Sequence, residues 1–207
     1  SMYTSAADVA DFLQNHTDKP YILCEFCHAM GNSLGDLAAY RNLLDRYPNF
    51  QGGFIWDYID QALLAKDLNG KKKLCYGGDF GDRPNDGDFS ANGIIFADRR
   101  RAHLSAKAET VRYHYQPLDF TWQGSDLVIA NHYLFRSTKH LTFVFEVLVN
   151  GETVEKQDLT LDIPAGRRKR VTLHGKVADD GETLWRIRAL QKKDEYTVSG
   201  GTLVAFG

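Results

Sequence analysis

Glu25 and His28 are the residues of this 207-residue sequence whose setting suits them to chemistry. Glu25 ends a short apolar run, Tyr21-Ile22-Leu23-Cys24, that follows Pro20. An ionised carboxylate at such a place is costly to bury without a partner. In an α/β barrel, a polar residue at the carboxyl end of a strand lies on the face where active sites are built. A lone glutamate is more often a plain surface residue and a lone histidine more often structural, so their neighbours must decide. Cys24 and Cys27 form a C-x-x-C, which suggests a redox or zinc site. Against it, Glu25 intervenes, and residues three apart on a strand point to opposite faces. Cys75 and His28 also fall in no familiar four-ligand spacing.

Several elements must hold these side chains. The run from Tyr21 to Glu25 has the pattern of a strand buried on both faces, as in a parallel sheet. Gly31-Asn32 then turns the chain. Ser33 caps a helix that runs to Tyr47, with Asp36 three residues on. Leu34, Leu37, Tyr40, Leu44 and Tyr47 recur at helical spacing, and Pro48 ends the helix. Upstream, Ser5 caps a helix to His16 whose apolar face is Val9, Phe12 and Leu13. Phe54 to Tyr58 reads as a second short strand, and alternation of this kind implies a parallel sheet with crossover helices. Between Gln61 and Asp98, Asn69-Gly70 predicts a hairpin and the Gly/Asp/Asn-rich remainder a long loop. Leu104 to Tyr115 reads as a last helix.

From Leu118 the pattern changes. Leu141, Phe143, Phe145 and Val147 alternate with other residues, and Asn150-Gly151 turns the chain back. Trp122, Val128–Tyr133, Thr153–Leu161, Arg170–Leu173, Leu184–Leu190 and Thr202–Phe206 are further short strands. Regular strands with turn signals between them predict a sandwich of about 90 residues. The boundary falls at 117/118.

The totals exclude several classes. A hydrophobic content of 43% and a charged content of 25% are those of an ordinary globular protein. A net charge of −2 gives no reason to expect nucleic acid or an anionic membrane as a partner. No apolar run approaches the roughly 20 residues of a membrane span. Three cysteines make no secreted disulfide framework and point to a reducing cytoplasm. The runs Lys71–Lys73 and Arg167–Arg170 read as solvated surface.

Three long blocks carry a resemblance. Ile22-Leu23-Cys24-Glu25-Phe26-Cys27-His28-Ala29-Met30-Gly31-Asn32-Ser33 resembles the nucleophile segment of the β-galactosidases of glycoside hydrolase family 2. Gly52-Gly53-Phe54-Ile55-Trp56-Asp57-Tyr58-Ile59-Asp60-Gln61 is similar to the next barrel strand of that family. Tyr76-Gly77-Gly78-Asp79-Phe80-Gly81-Asp82, with Asn85-Asp86, Phe89, Asn92-Gly93 and Phe96-Ala97-Asp98-Arg99, is similar to its active-site loop. The likeness is dense over 2–115 and looser over 118–207. It implies an α+β multidomain chain: residues 1–117 the last strands and helices of a partial (β/α)8 TIM barrel, and 118–207 an immunoglobulin-like β-sandwich. A complete barrel takes about 250 residues. The α/β part has fewer than half that many, so only the end of strand six and strands seven and eight are expected.

The implied reaction is retaining hydrolysis of terminal β-D-galactosides such as lactose. Retaining glycosidases use two carboxylates about 5 Å apart. By resemblance Glu25 is the nucleophile, and the acid/base glutamate belongs to an earlier strand, outside these residues. Tyr3, in Met2-Tyr3, is expected to hydrogen-bond Glu25. His28 is expected on the sugar hydroxyls, and Trp56 beneath the galactose ring. The Phe89 carbonyl and the Asn92 side chain are expected around a sodium ion beside the sugar's 6-hydroxyl, where hard oxygen ligands suit such a cation. The family's magnesium ligands have no counterpart here. Asp57, Asp60, Asp79 and Asp82 are expected to hold loop backbone instead. The implied partners are a β-galactoside and the remainder of the enzyme or a second subunit. As an isolated chain, the alternative is a non-catalytic interaction module whose exposed barrel edges drive oligomerisation.

Overall fold

The computed structural model describes residues 1–99 and 105–207, and the chain divides into two compact units, Ser1–His114 and Tyr115–Gly207. The expected start of the last helix, Leu104, lies outside the described residues.

In the first unit, helix α1 (Ala6–Asn15) starts at Ser5, whose Oγ accepts from the Asp8 N–H at 3.2 Å. That bond satisfies one of the amides a helix start leaves free. Val9 and Leu13 are buried, while Phe12 is exposed and stacks on His16. Strand β1 (Tyr21–Phe26) follows, then helix α2 (Leu37–Arg46) and strand β2 (Phe50–Ile55), which pairs parallel with β1. Leu23, Phe26, Leu37, Leu43 and Phe50 join Val9 and Leu13 in one apolar core. Gly53 lets the two strands meet, since a Cβ there would stand 2.8 Å from that of Leu23.

Three expectations are corrected here. Strand β1 is buried on one face only: Leu23 is inaccessible, but Ile22 is 47% exposed and Cys24 is exposed. The helices cover the first face, and no described element covers the second. Helix α2 begins at Leu37, and Ser33 does not cap it. The Ser33 Oγ instead reaches the carbonyls of His28 (2.6 Å) and Met30 (2.5 Å), closing the turn after β1. Leu34 and Asp36 have left-handed backbones that delay the helix. Finally, β2 ends at Ile55. Residues 57–60 leave β2 for a different partner: Asp57 N–H donates to Asn92 O, Ile94 N–H to Asp57 O, Ile95 N–H to Tyr58 O, and Asp60 N–H to Ile95 O.

The hairpin predicted at Asn69-Gly70 is present as β3 (Leu63–Lys66) and β4 (Lys72–Cys75). Residues 76–99 run through turns, and α3 (Ala106–His114) closes the unit with no buried side chain.

The second unit is two antiparallel sheets over one core. Strands β5 (Leu118–Gln123), β6 (Asp126–Asn131) and β9 (Arg168–Thr172) form one sheet. Strands β7 (Leu141–Val149), β8 (Glu152–Leu159), β10 (Thr183–Gln191) and β11 (Leu203–Phe206) form the other, in the order β11-β10-β7-β8. Leu118, Leu127 and Ile129 from the first sheet meet Phe143, Phe145, Val147 and Ile187 from the second. The strands expected from alternation are all found. The outer face of β7 is buried as well: Glu146 is 4% exposed and ion-paired with Arg186 (2.9 Å) and Arg188 (2.6 Å). Lys71–Lys73 and Arg167–Arg170 are exposed, as expected.

Candidate active site

The carboxyl end of β1 brings Tyr3, Glu25 and His28 together, with Phe89 stacked on His28. Met2 bridges in parallel to Glu25, and the Tyr3 N–H donates to the Glu25 carbonyl at 2.9 Å. The short N-terminal segment therefore lies along β1, with β2 also paired to it. This sets the Tyr3 side chain beside that of Glu25. The phenol is pushed up to about 12, first by burial and then by its hydrogen bond with the Glu25 carboxylate and that group's negative charge. A phenol so placed stays protonated at neutral pH.

Past β1 the chain turns through Cys27, whose backbone is left-handed. The Cys27 thiol donates to the Gly35 carbonyl, and burial pushes it up to about 11, so it is no ready thiolate. Cys24 stays exposed on the strand, and among the described residues no three of His, Cys, Asp and Glu group as metal ligands. The turn delivers His28 between two rings. It stands edge-on to Tyr3, with centroids 5.9 Å apart, and stacked on Phe89 at 5.8 Å. Phe89 belongs to the turn-rich loop, its N–H donating to the Asp86 carbonyl.

Trp56 follows directly after β2. Its N–H donates to Phe26 O (3.3 Å) and its carbonyl accepts from Ala29 N–H (2.8 Å), which locks it against the turn carrying His28. The Trp56–Asp57 peptide is cis. The indole is 39% exposed, leaving part of its surface open to solvent. Asn92 is 2% exposed, and its Oδ1 is buried without a hydrogen-bond partner. A lone buried acceptor of this kind costs about 1–3 kcal/mol, so the position is suited to a donor or a cation.

The four aspartates divide. Asp60 accepts from Gly93 N–H (2.8 Å), Asp79 from Tyr76 N–H (3.1 Å) and Asp82 from Gly78 N–H (2.9 Å), so these three hold loop backbone as expected. Asp57 does not. One of its oxygens accepts from Gln61 Nε2 at 3.0 Å, and the other is buried without a partner. Burial raises this carboxyl, with the Gln61 hydrogen bond and the charges of His28 and Lys107 working the other way.

Lys107 escapes sequence reasoning altogether. From α3 its ammonium donates to the carbonyls of Ala29 and Gly93, the latter at 3.1 Å. Only Lys107's place in a helix of mixed pattern was visible in the sequence, and nothing there couples it to residues 14 and 78 positions away.

Comparison with known proteins bears on all of this. A family model for the TIM barrel domain of glycosyl hydrolases family 2 matches residues 1–120, and one for β-galactosidase domain 4 matches residues 127–207. A β-galactosidase of Halalkalibacterium halodurans is 40% identical over 211 aligned residues, covering 100% of this chain and 20% of its own length. A β-galactosidase of Priestia megaterium is also 40% identical, with the same shares covered. The β-galactosidase BgaC of Bifidobacterium adolescentis is 44% identical over 172 residues, 80% of this chain and 16% of its own. The chain thus spans about a fifth of the length of the first two relatives. A solved Bacteroides uniformis β-glucuronidase aligns with 96% of this chain and 23% of its own at 14% identity, with a TM-score of 0.31, too slight a likeness to bear on the fold. By the match over its first 120 residues, the chain belongs to glycosyl hydrolase family 2.

Proposed function

We propose that the chain carries the nucleophile half of a retaining β-galactosidase acting on terminal β-D-galactosides such as lactose. The observation that carries this reading is the backbone pairing that sets Met2-Tyr3 against Glu25 at the end of β1, with His28 edge-on to Tyr3, within the region matched by the family model. Glu25 attacks the anomeric carbon, and the leaving oxygen departs with the bond's electron pair, giving a galactosyl ester. Tyr3 holds the carboxylate during attack. In the second step, water attacks the same carbon and the C–O bond to Glu25 breaks. Tyr3 then supports the departing carboxylate with its hydrogen bond. His28 orients sugar hydroxyls, and the open surface of Trp56 lies against the ring.

The orphaned Asn92 Oδ1 fits a hard monovalent cation. Asn92 and the Phe89 carbonyl are the residues proposed to hold sodium, which when bound supplies a fixed positive charge beside the sugar. No donor set for magnesium is proposed among these residues.

The acid/base glutamate belongs to another stretch of the longer enzyme, in keeping with the fifth of the relatives' length spanned here. The second unit is proposed as an immunoglobulin-like spacer, and the setting as cytoplasmic. The uncovered face of β1 and β2, with Ile22 and Phe54 exposed, is the side proposed to meet the remainder of the enzyme or a second subunit. Release of nitrophenol from a nitrophenyl β-galactoside tests the division of labour, with Glu25→Gln as control. The expected result is no activity above the control for the chain alone, and activity when the upstream part of the enzyme is added. Activity of the chain alone that Glu25→Gln abolishes would require a general acid within these residues or from a neighbouring copy.

A further inference from the structure

Lys107 lies in a helix read from the sequence but in none of its three patterned blocks, yet its ammonium joins two segments that carry site residues. One carbonyl it reaches belongs to Ala29, next to His28, and the other to Gly93, next to Asn92. Ala29 N–H donates to Trp56 O, and Asp57 N–H donates to Asn92 O, so the Lys107 contacts close a ring of backbone through all three segments. An ammonium has three donors and no acceptor, so it can serve two carbonyls at once. Packing does not explain this lysine's place, because α3 buries no side chain and contributes no apolar residue beyond Val111 to the core of the unit. Polar contacts anchor the start of α3 as well: Ser105 Oγ donates to Ile94 O at 2.5 Å.

Gly93 is a rigid post for this contact. Its N–H is held by Asp60, and a Cβ at this position would come 2.0 Å from the Asp60 backbone nitrogen. We propose that Lys107 is a positioning residue for the sugar site, setting the spacing between the His28–Ala29 turn and Asn92 and thereby the fit of a galactosyl ring. It rests on the reading of the site given above. Lys107 touches no sugar in this scheme and acts through His28, Trp56 and Asn92.

Two measurements on the 207-residue chain, wild type against Lys107→Met, test it. The first is hydrogen exchange at the amides of Ala29, Asp57, Ile94 and Ile95. Faster exchange there, with the β6 and β7 amides unchanged, is expected. Exchange as in wild type, or a uniform rise throughout the first unit, overturns the proposal. The second is labelling of Glu25 by a dinitrophenyl 2-deoxy-2-fluoro-β-galactoside. Its leaving group departs as a stable anion, so the step needs no acid. The concentration for half-maximal labelling rate is expected to rise about tenfold on displacement of the sugar contacts, with final labelling still at one per chain. A lower labelled fraction at unchanged half-saturation signals only lost fold, and also overturns it. A wild type that takes no label ends the galactoside reading and the sugar part of the proposal with it, while hydrogen exchange still decides whether Lys107 fixes the spacing.

Discussion

At the scale of single residues, the central feature is a phenol and a carboxylate held together by backbone pairing. The Tyr3 N–H and the Met2 bridge fix the main chain beside Glu25, so the side-chain hydrogen bond forms between neighbours already in place. Because the folded phenol is raised from 10.0 to about 12, the stabilisation it provides is present below pH 10 and lost as pH rises toward 12. Tyr3 is 42% exposed, so solvent screens the effect and its contribution is small. Burial raises the phenols of Tyr40 and Tyr133 as well, so ultraviolet titration of the tyrosines is expected to show several late-ionising phenols, of which that of Tyr3 alone moves down in Glu25→Gln. It stops short of the ordinary value because burial, the largest cause, remains. Glu25, His28, Trp56 and Asn92 could be singled out as candidates because each lies in a long patterned block. Asp57 was half legible: its acidity suggested a backbone holder, but only three-dimensional packing reveals an oxygen buried without a partner. The Lys107 contacts, reaching 78 residues back in the chain to Ala29, leave no trace in local spacing.

At the scale of elements, alternation and turn residues located the strands of the second unit well, since each strand has one face against a shared core. The first unit was harder. Strand β1 reads as apolar throughout, but the described residues cover only one of its faces, and coverage is not a property of the strand's own sequence. Ser33 carries a capping signal that the turn after β1 uses for the His28 and Met30 carbonyls instead. Two substitutions probe elements directly. Gly53→Ala places a Cβ 2.8 Å from the Leu23 Cβ and 2.9 Å from its carbonyl oxygen, forcing β1 and β2 apart. Urea denaturation is expected to show the first unit destabilised by about 1–3 kcal/mol, with the second unaffected. In the second unit, Glu146→Gln removes the anion of Arg186 and Arg188, whose side chains are 42% and 30% exposed, and is expected to cost about 1–3 kcal/mol. Burial acts to raise the Glu146 carboxyl, but hydrogen bonds from both arginines prevail and hold it below its ordinary 4.5. Its contribution is therefore fully present above that value and lost as pH falls through the lowered one. Acid denaturation of wild type against Glu146→Gln is expected to show the gap between them closing at low pH.

At the scale of the whole molecule, two units with separate cores share one chain that matches about a fifth of the length of its β-galactosidase relatives. The proposed division of labour follows: the nucleophile, its tyrosine and part of the sugar floor lie here, and the acid/base group elsewhere. Under that proposal hydrolysis needs both halves, so turnover alone does not isolate what this chain contributes. The most direct test is peptide mapping by mass spectrometry after incubation with the dinitrophenyl 2-deoxy-2-fluoro-β-galactoside. One fluorogalactosyl group per chain is expected, on the peptide containing Glu25, and none in Glu25→Gln. A label on any other carboxylate, or an equal label in Glu25→Gln, would contradict it.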